Sequence, residues 1–381
     1  MSRKLRVGVI FGGRSVEHEV SLVSARSLLA AIDSARYDVV PIGVTYEGRW
    51  LTGAGIRHLL EDGRSGVEGG EGVHAAIVGD PSVAGLVHLD NDGGSVGGGG
   101  IDVVFPLIHG AYGEDGKLQG LLEMADVPYV GSGVLGSALG MDKEVAKRLF
   151  RSAGLPVVDW ILVRASEWSR PSEEEAIRRK LESGFGYPCF VKPGGLGSSV
   201  GVSRATDWEG ARRALSEAMA YDEKVLVERA IDAREIEVAV LGNDDPAASV
   251  VGEIVTTHSF YDYEAKYHDD STRLLIPAPI PASTSDRVRA IAIDAFRALE
   301  LAGLARVDFL LDRTTGEPHL NEVNTLPGFT PVSMYPKLWQ ASGVGYTELI
   351  NRLIDLAFEK HRAKHALRAV LAEGRTETRD A

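Results

Sequence analysis

KPGGLGSSVGV, Lys192 to Val202, sets one lysine, four glycines and two serines among apolar residues. Such a composition suits a phosphate cradle, because glycine lets backbone N–H groups come close to an anion. The order is wrong for a Walker A loop, GxxxxGK[ST], which opens a helix. Here the lysine precedes the glycines, and Val200, Gly201 and Val202 read as a strand. A glycine loop with strand on both sides belongs in a hairpin, and the flanks agree. Upstream lie the apolar run YPCFVK, a charged helix near Glu173 to Glu182 and a strand at Trp160 to Val163. Downstream, Thr206 and Glu209 have capping-box spacing, which predicts a helix start. The βαββα order predicts a small α+β domain holding the loop.

Further out, RVGVIFGG (Arg6 to Gly13) is a compact apolar strand with a glycine turn, followed by helical spacing from Val16 to Ile32. A doubly wound α/β domain begins this way, and IDVVFPLIHG (Ile101 to Gly110) supplies a second buried strand. Thirteen glycines fall between Gly63 and Gly100, which predicts short strands on flexible loops and no chemistry. MDKEVAKRLFRSAGLPV, from Met141, is an amphipathic helix stopped by Gly154, with Pro156 beyond. Past the glycine loop come strands VLVERAI and EIEVAVL, a polar-aromatic stretch from His258 to Arg273, and a helix with Val288, Ile291, Ala292, Ala295, Phe296 and Leu299 on one face. The hairpin ARVDFLLDRTTGEPHLNEVN follows. The end of the chain, beyond Leu371 especially, is polar and reads as frayed.

The hairpin carries the sharpest local inference. A turn centred near Thr315 sets Leu310 opposite Leu320, Asp308 opposite Glu322 and Arg306 opposite Asn324, all on one face. Two carboxylates about 5 Å apart repel unless a cation lies between them. Oxygen ligands from Asp308, Glu322 and Asn324 suit Mg²⁺; a solvated face with Arg306 neutralising the pair is the alternative. Together with the glycine loop, the pair points to a nucleotide triphosphate and its magnesium.

Composition narrows the classes. The 381 residues are 44% hydrophobic and 25% charged, as in a soluble globular protein with room for two or three domains. No run approaches the roughly 20 apolar residues of a membrane span, and the N-terminus enters a strand pattern rather than a signal peptide, so a cytoplasmic location is expected. The net charge of -13 disfavours nucleic acid and anionic membranes. The single cysteine, Cys189, excludes an internal disulfide and reads as a buried structural thiol.

GGRSVEHEVS, HGAYGEDG, MDK, VKPGGLGSSVGV, VLVERAIDARE, FYDYEAKY, ARVDFLL and NEVNTLPGFTPVSM occur here in the order of the D-alanine-D-alanine ligases of the ATP-grasp superfamily, which the chain resembles from Lys4 to Leu356. The resemblance implies an ATP-grasp fold, α/β and α+β, with an N-terminal doubly wound (pre-ATP-grasp) domain at 1–132, a central subdomain at 133–226, a C-terminal subdomain at 227–360 and a polar tail at 361–381. It implies that ATP and two Mg²⁺ ions, replaceable by Mn²⁺, serve to join two D-alanines in a cytoplasmic homodimer. By the same resemblance Glu17 holds the ammonium of the first D-alanine and His109 its carboxylate. Lys143, Lys192, Ser199 and Lys266 reach ATP phosphates. Glu228, with the backbone of Arg229 to Ile231, frames the adenine, and Glu235 takes the ribose hydroxyls. Arg306 stabilises the tetrahedral oxyanion, and Asp308, Glu322 and Asn324 bind magnesium. Gly328 and Ser333 receive the second carboxylate. Tyr267, on a lid formed by His258 to Arg273, joins Ser198 and Glu17, and a tyrosine there favours an amine nucleophile over D-lactate. One departure is Gly195-Leu196, where many relatives carry Arg-Glu, which puts polar contacts there in doubt and predicts looser loop closure. The alternatives are a ligase using D-serine or D-lactate second, a nicotinamide-cofactor oxidoreductase, and a non-catalytic nucleotide-binding module. GVIFGG lacks the GxGxxG spacing the oxidoreductase needs.

Overall fold

In the computed structural model, which describes residues 3–53, 56, 60, 73–83, 85–89, 99–255 and 273–377, the chain builds three sheets in succession. The first has the order β5-β4-β3-β2-β1-β6, from β1 (Leu5–Gly12), β2 (Tyr37–Val44), β3 (Trp50–Thr52), β4 (Val73–Ile77), β5 (Leu86–Leu89) and β6 (Val103–Pro106). β1 runs parallel to β2 and β6, with helix α1 (His18–Ala31) between β1 and β2 as expected. The remaining pairs are antiparallel, and the glycine-rich region supplies β4 and β5 to that side. β1 is apolar on both faces for a reason: Val7, Val9 and Phe11 pack with Leu22, Ala25 and Leu28 of α1, while Ile10 enters a separate core with Leu118 and Leu122 of α2 (Lys117–Met124).

Helices α3 (Val134–Met141) and α4 (Lys143–Ser152) lead to the second sheet, of order β7-β10-β8-β9. The helix predicted from Met141 starts two residues later, at Lys143, because Asp142 caps it, its side chain accepting from the N–H groups of Glu144 and Val145. β7 (Trp160–Arg164), α5 (Ala165–Trp168), α6 (Pro171–Gly184), β8 (Cys189–Pro193), β9 (Ser203–Ala205), α7 (Trp208–Ala218) and β10 (Lys224–Arg229) follow, with the glycine loop spanning the antiparallel β8-β9 hairpin. The cap of α7 is Asp207, whose carboxylate accepts from Gly210 N at 2.7 Å, rather than Thr206. Cys189 is fully buried beneath this sheet, and burial pushes its thiol up to about 11.

The third sheet, β13-β12-β11-β14-β15, comprises β11 (Ala233–Gly242), β12 (Ala247–Val255), β13 (Arg273–Leu275), β14 (Gly303–Asp312) and β15 (Pro318–Asn324). Helix α8 (Ala282–Ala298) covers it, burying the predicted face from Val288 to Leu299. In the β14-β15 hairpin Arg306 pairs with Asn324 and Asp308 with Glu322 as expected. Leu310 faces His319 rather than Leu320, because a bulge after Asp308 shifts the register by one.

Two last helices, α9 (Met334–Ala341) and α10 (Tyr346–Glu377), tie the ends of the chain together. Val7, Phe11 and Phe105 of the first sheet share one core with Leu304, Phe329, Tyr335, Leu349 and Leu353. Each such side chain, fully buried, contributes about 1.5–3 kcal/mol. The segment from 361 expected as a tail continues α10 to Glu377, since His361, Lys364 and His365 find partners at Asp126 and Glu123.

Candidate active site

A cleft of about 270 Å³ opens between the second and third sheets, beneath the glycine loop. Its floor follows from strand alternation. Glu235 and Glu237 of β11, Arg306, Asp308 and Leu310 of β14, and Glu322 of β15 all line it. Arg306 grips Asp308 with a two-pronged fork, Nε donating to Oδ1 and Nη2 to Oδ2, both at 2.7 Å, and its Nε lies 3.0 Å from Glu237. Burial opposes the guanidinium charge, but Asp308 and Glu237 outweigh it and hold the arginine ionised. Asn324 Nδ2 donates to Asp308 Oδ2 at 2.9 Å. Arg306 therefore does neutralise the acidic face, while the donors from Asp308, Glu322 and Asn324 form the all-oxygen set that a hard divalent cation takes.

The opposite wall is cationic. Lys143, at the start of α4, donates to the carbonyl of Leu196 at 2.6 Å and lies 3.5 Å from Glu322, so it bridges the glycine loop and the acidic hairpin. Lys192 pairs with Glu228 at 2.6 Å and is 3.3 Å from Asn321 Oδ1. Lys147, one turn after Lys143, pairs with the other oxygen of Glu228 at 3.1 Å. Burial drives the Glu228 carboxyl up, yet the two lysines overcome this and hold it at about 2. Burial lowers the Lys147 amine, whereas for Lys192 the pull of Glu228 prevails over burial and raises it.

The glycine loop closes toward the first sheet. Ser198 Oγ donates to Glu17 Oε1 at 2.5 Å, across 181 residues of sequence. Gly197 permits the approach: a Cβ there would lie 3.2 Å from Glu17 Oε2. Ser198 and Ser199 adopt φ of 51° and 57°, a left-handed conformation costly for residues with a side chain and concentrated at functional sites. At Gly195-Leu196 the backbone is held from both sides, Gly195 N donating to Asp222 at 2.6 Å and Leu196 O accepting from Lys143.

Glu17 stands at the N-cap position of α1 without a side-chain cap bond; its N–H donates to Ser15 Oγ, and Ser15 in turn donates to the carbonyl of His109 at 2.6 Å. His109 is 3% exposed and uses both ring nitrogens within the protein. Nδ1 donates to Leu326 O at 2.9 Å, which leaves Nε2 to accept from Ser24 Oγ at 3.0 Å. Burial lowers its pKa, so the ring is neutral. Gly328 and Ser333 come together on the loop before α9, where a Cβ at 328 would sit 3.2 Å from Ser333 Oγ.

Residues 6–132 match the family model described as D-ala D-ala ligase N-terminus, and residues 149–355 match D-ala D-ala ligase C-terminus. The chain belongs to the D-alanine-D-alanine ligase family. The D-alanine–D-alanine ligase of Thermoanaerobacter sp. (strain X514) is 49% identical over 362 residues, 95% of this chain and 98% of that one. That of Geobacillus thermodenitrificans is 48% identical, covering 96% of this chain and 98% of its own. Among solved structures, the ligase from Coxiella burnetii superposes with a TM-score of 0.83 at 34% identity, over 98% of this chain and all of that one. The VanG D-Ala:D-Ser ligase from Enterococcus faecalis does so with 0.82 at 34%, over 93% and 100%. The three sheets are thus the ATP-grasp fold with its N-terminal α/β domain, as the resemblance implied.

In this ligase, eleven of the expected site residues line the cleft: Lys143, Lys192, Ser198, Ser199, Glu228, Arg229, Ile231, Glu235, Arg306, Asp308 and Glu322. Lys266 and Tyr267, with most of the expected lid, lie outside the described residues. The Glu228 carboxylate lines the cleft and anchors two lysines, since burial obliges it to be paired. His109 joins Ser24 to the Leu326 loop through its two ring nitrogens. Four residues were missed. Lys147 lies four after Lys143, and Glu237 two after Glu235, so helix and strand periods could have found them. Asn321 is brought in by the bulge. Glu114, in HGAYGEDG, accepts from Gly110 N and Leu326 N at 2.9 Å and joins the first sheet to the Leu326 loop, a role no period signals.

Proposed function

We propose that this ligase joins two D-alanine molecules into D-alanyl-D-alanine for peptidoglycan precursors, converting ATP to ADP and phosphate. A carboxylate is a poor electrophile. The carboxylate oxygen of the first D-alanine takes the γ-phosphoryl of ATP, ADP departs, and an acyl phosphate forms. The amine of the second D-alanine attacks the acyl carbon, loses a proton, and phosphate leaves from the tetrahedral intermediate. The chain's part is positioning and charge neutralisation.

The observation that carries this reading is the bond from Ser198 to Glu17, which sets the phosphate loop directly over a carboxylate able to hold an ammonium group. Lys143 and Lys192 stand where the γ-phosphoryl is transferred, their charge directed by Glu322 and Glu228. Glu228, with the backbone of Arg229 to Ile231, frames the adenine, and Glu235 takes the ribose. Arg306, fixed in plane by Asp308, faces the developing oxyanion. Gly328 and Ser333 receive the second carboxylate, and Lys266 and Tyr267 close over the reactants. Asp308, Glu322 and Asn324 hold Mg²⁺, two ions or Mn²⁺ in their place; the bound metal neutralises phosphate charge. Residues 1–132 carry the first D-alanine, 133–226 and 227–360 the nucleotide. The enzyme acts as a cytoplasmic homodimer free of nucleic acid and membrane; its net charge of -13 repels both of those polyanions.

The likeness to a D-Ala:D-Ser ligase keeps D-serine as a second reading for the second substrate. The oxidoreductase reading is disfavoured: Gly12 N donates to Ser21 Oγ at 2.7 Å and Gly13 N to Val44 O at 2.8 Å, so the N–H groups of that turn are spent within the protein rather than offered to a pyrophosphate. Phosphate release and product analysis with D-alanine alone, and with D-serine or D-lactate added, decide the matter. D-alanine-dependent release with the D-alanyl-D-alanine dipeptide as main product is expected; no release with ATP, magnesium and D-alanine present refutes the proposal.

A further inference from the structure

Far from the cleft in sequence and role, α10 meets the turn after α2. His361 and His365 are one helical turn apart and share a face, their ring centroids 4.4 Å from each other. Both aim Nε2 at Asp126: the distances to Oδ1 are 3.4 Å from His361 and 3.0 Å from His365, and His361 Nε2 is also 3.2 Å from the Asp126 carbonyl. The side chains retain 25%, 40% and 23% exposure for His361, His365 and Asp126, so an ion can reach them. Among the described residues, these three form the group of histidine, cysteine or acidic side chains whose ligand atoms all lie within 4.8 Å of one another.

The spacing matches a coordination shell. Bonds of about 2.0–2.2 Å in a tetrahedron place neighbouring ligand atoms about 3.3–3.6 Å apart; the His361–Asp126 distance of 3.4 Å falls within that range and the His365–Asp126 distance of 3.0 Å lies just below it. Two imidazoles and one carboxylate prefer borderline ions such as Zn²⁺, Co²⁺ or Ni²⁺, whereas Mg²⁺ prefers oxygen throughout. The neighbouring lysines have partners of their own: Lys364 pairs with Glu123, and Lys360 donates to Gly131 O at 3.0 Å.

We propose that Asp126, His361 and His365 form a binding site for a borderline divalent transition-metal ion, with water completing the shell, that fastens the last helix to the first α/β unit. The bond spans 235 residues and encloses both nucleotide-binding sheets. It holds the element carrying Glu17 and Glu114 against the C-terminal helix that packs behind the cleft.

Co²⁺ added to metal-depleted full-length enzyme is the probe, because four-coordinate nitrogen-oxygen Co²⁺ absorbs visible light far more strongly than Co²⁺ in an all-oxygen octahedral site. The expected result is a single strongly absorbing equivalent, displaced by Zn²⁺, and a rise of about 3 °C or more in melting temperature at a hundredfold excess of Zn²⁺ over its Kd. Both signals vanish in His361→Ala/His365→Ala, while magnesium-dependent turnover is kept. Should that variant fold poorly, His361→Gln/His365→Gln retains an N–H donor toward Asp126 without the imidazoles. An unchanged Co²⁺ spectrum and Zn²⁺ shift in either variant, or neither signal in the wild type, overturns the site and leaves the contacts as ordinary hydrogen bonds.

Discussion

Replacing Glu114 by glutamine tests whether a carboxyl at the junction of the two lobes is neutral in the folded enzyme. Its oxygens accept from Gly110 N and Leu326 N at 2.9 Å. Burial, and then the charge of Glu17, push it up to about 8 from an ordinary value of 4.5. Between those values the folded protein keeps a proton that the unfolded chain has released, so the stability fully present below pH 4.5 drains away as pH rises toward 8. The slope is about 1.4 kcal/mol per pH unit, or about 2.7 kcal/mol from pH 5 to pH 7. This is an upper bound, because Glu114 as a residue keeps part of its surface exposed. Glutamine mimics the neutral acid and carries no such slope. Urea unfolding of wild type and Glu114→Gln at pH 5, 6, 7 and 8 is the assay; every other titrating group cancels in the difference. The variant is expected to gain about 2–3 kcal/mol on the wild type between pH 5 and 7 and to level off above 8. Parallel pH profiles would show that Glu114 is ionised in both states and would refute the reasoning.

Asp308→Asn is expected to lower magnesium-dependent turnover on the order of 100-fold with only a modest loss in melting temperature; near-normal turnover with a large loss of stability would make the carboxylate purely structural. Lys147→Met leaves Glu228 buried against Lys192 alone and is expected to cost about 3–5 kcal/mol in urea unfolding; a neutral outcome would mean that Lys192 suffices. Because Glu228 is held at about 2, its stabilisation is present above pH 4.5 and lost as pH falls toward 2. Acid unfolding of that variant should therefore begin at higher pH than in the wild type, as followed by tryptophan fluorescence. Ser198→Ala removes the bond to Glu17 while keeping the backbone, and a fall in kcat of about 10-fold or more at nearly constant melting temperature is expected; unchanged kcat would deny the contact a role in turnover.

Much of this architecture could be read residue by residue. Strand β1 and the buried face of α8 stand where local periods put them, since alternation and helical spacing are properties of short segments; the β8-β9 hairpin forms too, but Val200 to Val202, read as strand, belong to its loop, and β9 begins at Ser203. Asp308 opposite Glu322 also followed from a single turn. The bulge that turned Leu310 toward His319 and the caps at Asp142 and Asp207 were not marked by pattern, because hydrogen-bond geometry chooses among adjacent candidates.

The sequence by itself determined the order of elements, the phosphate loop and the acidic hairpin, each encoded within some twenty residues. Only the tertiary structure decided which charges meet: Glu228 between Lys147 and Lys192, Arg306 on Asp308 and Glu237, Ser198 on Glu17, and Glu114 beneath the Leu326 loop. A buried charge takes whichever partner the packing of distant elements brings within about 3 Å, and no local period records that distance.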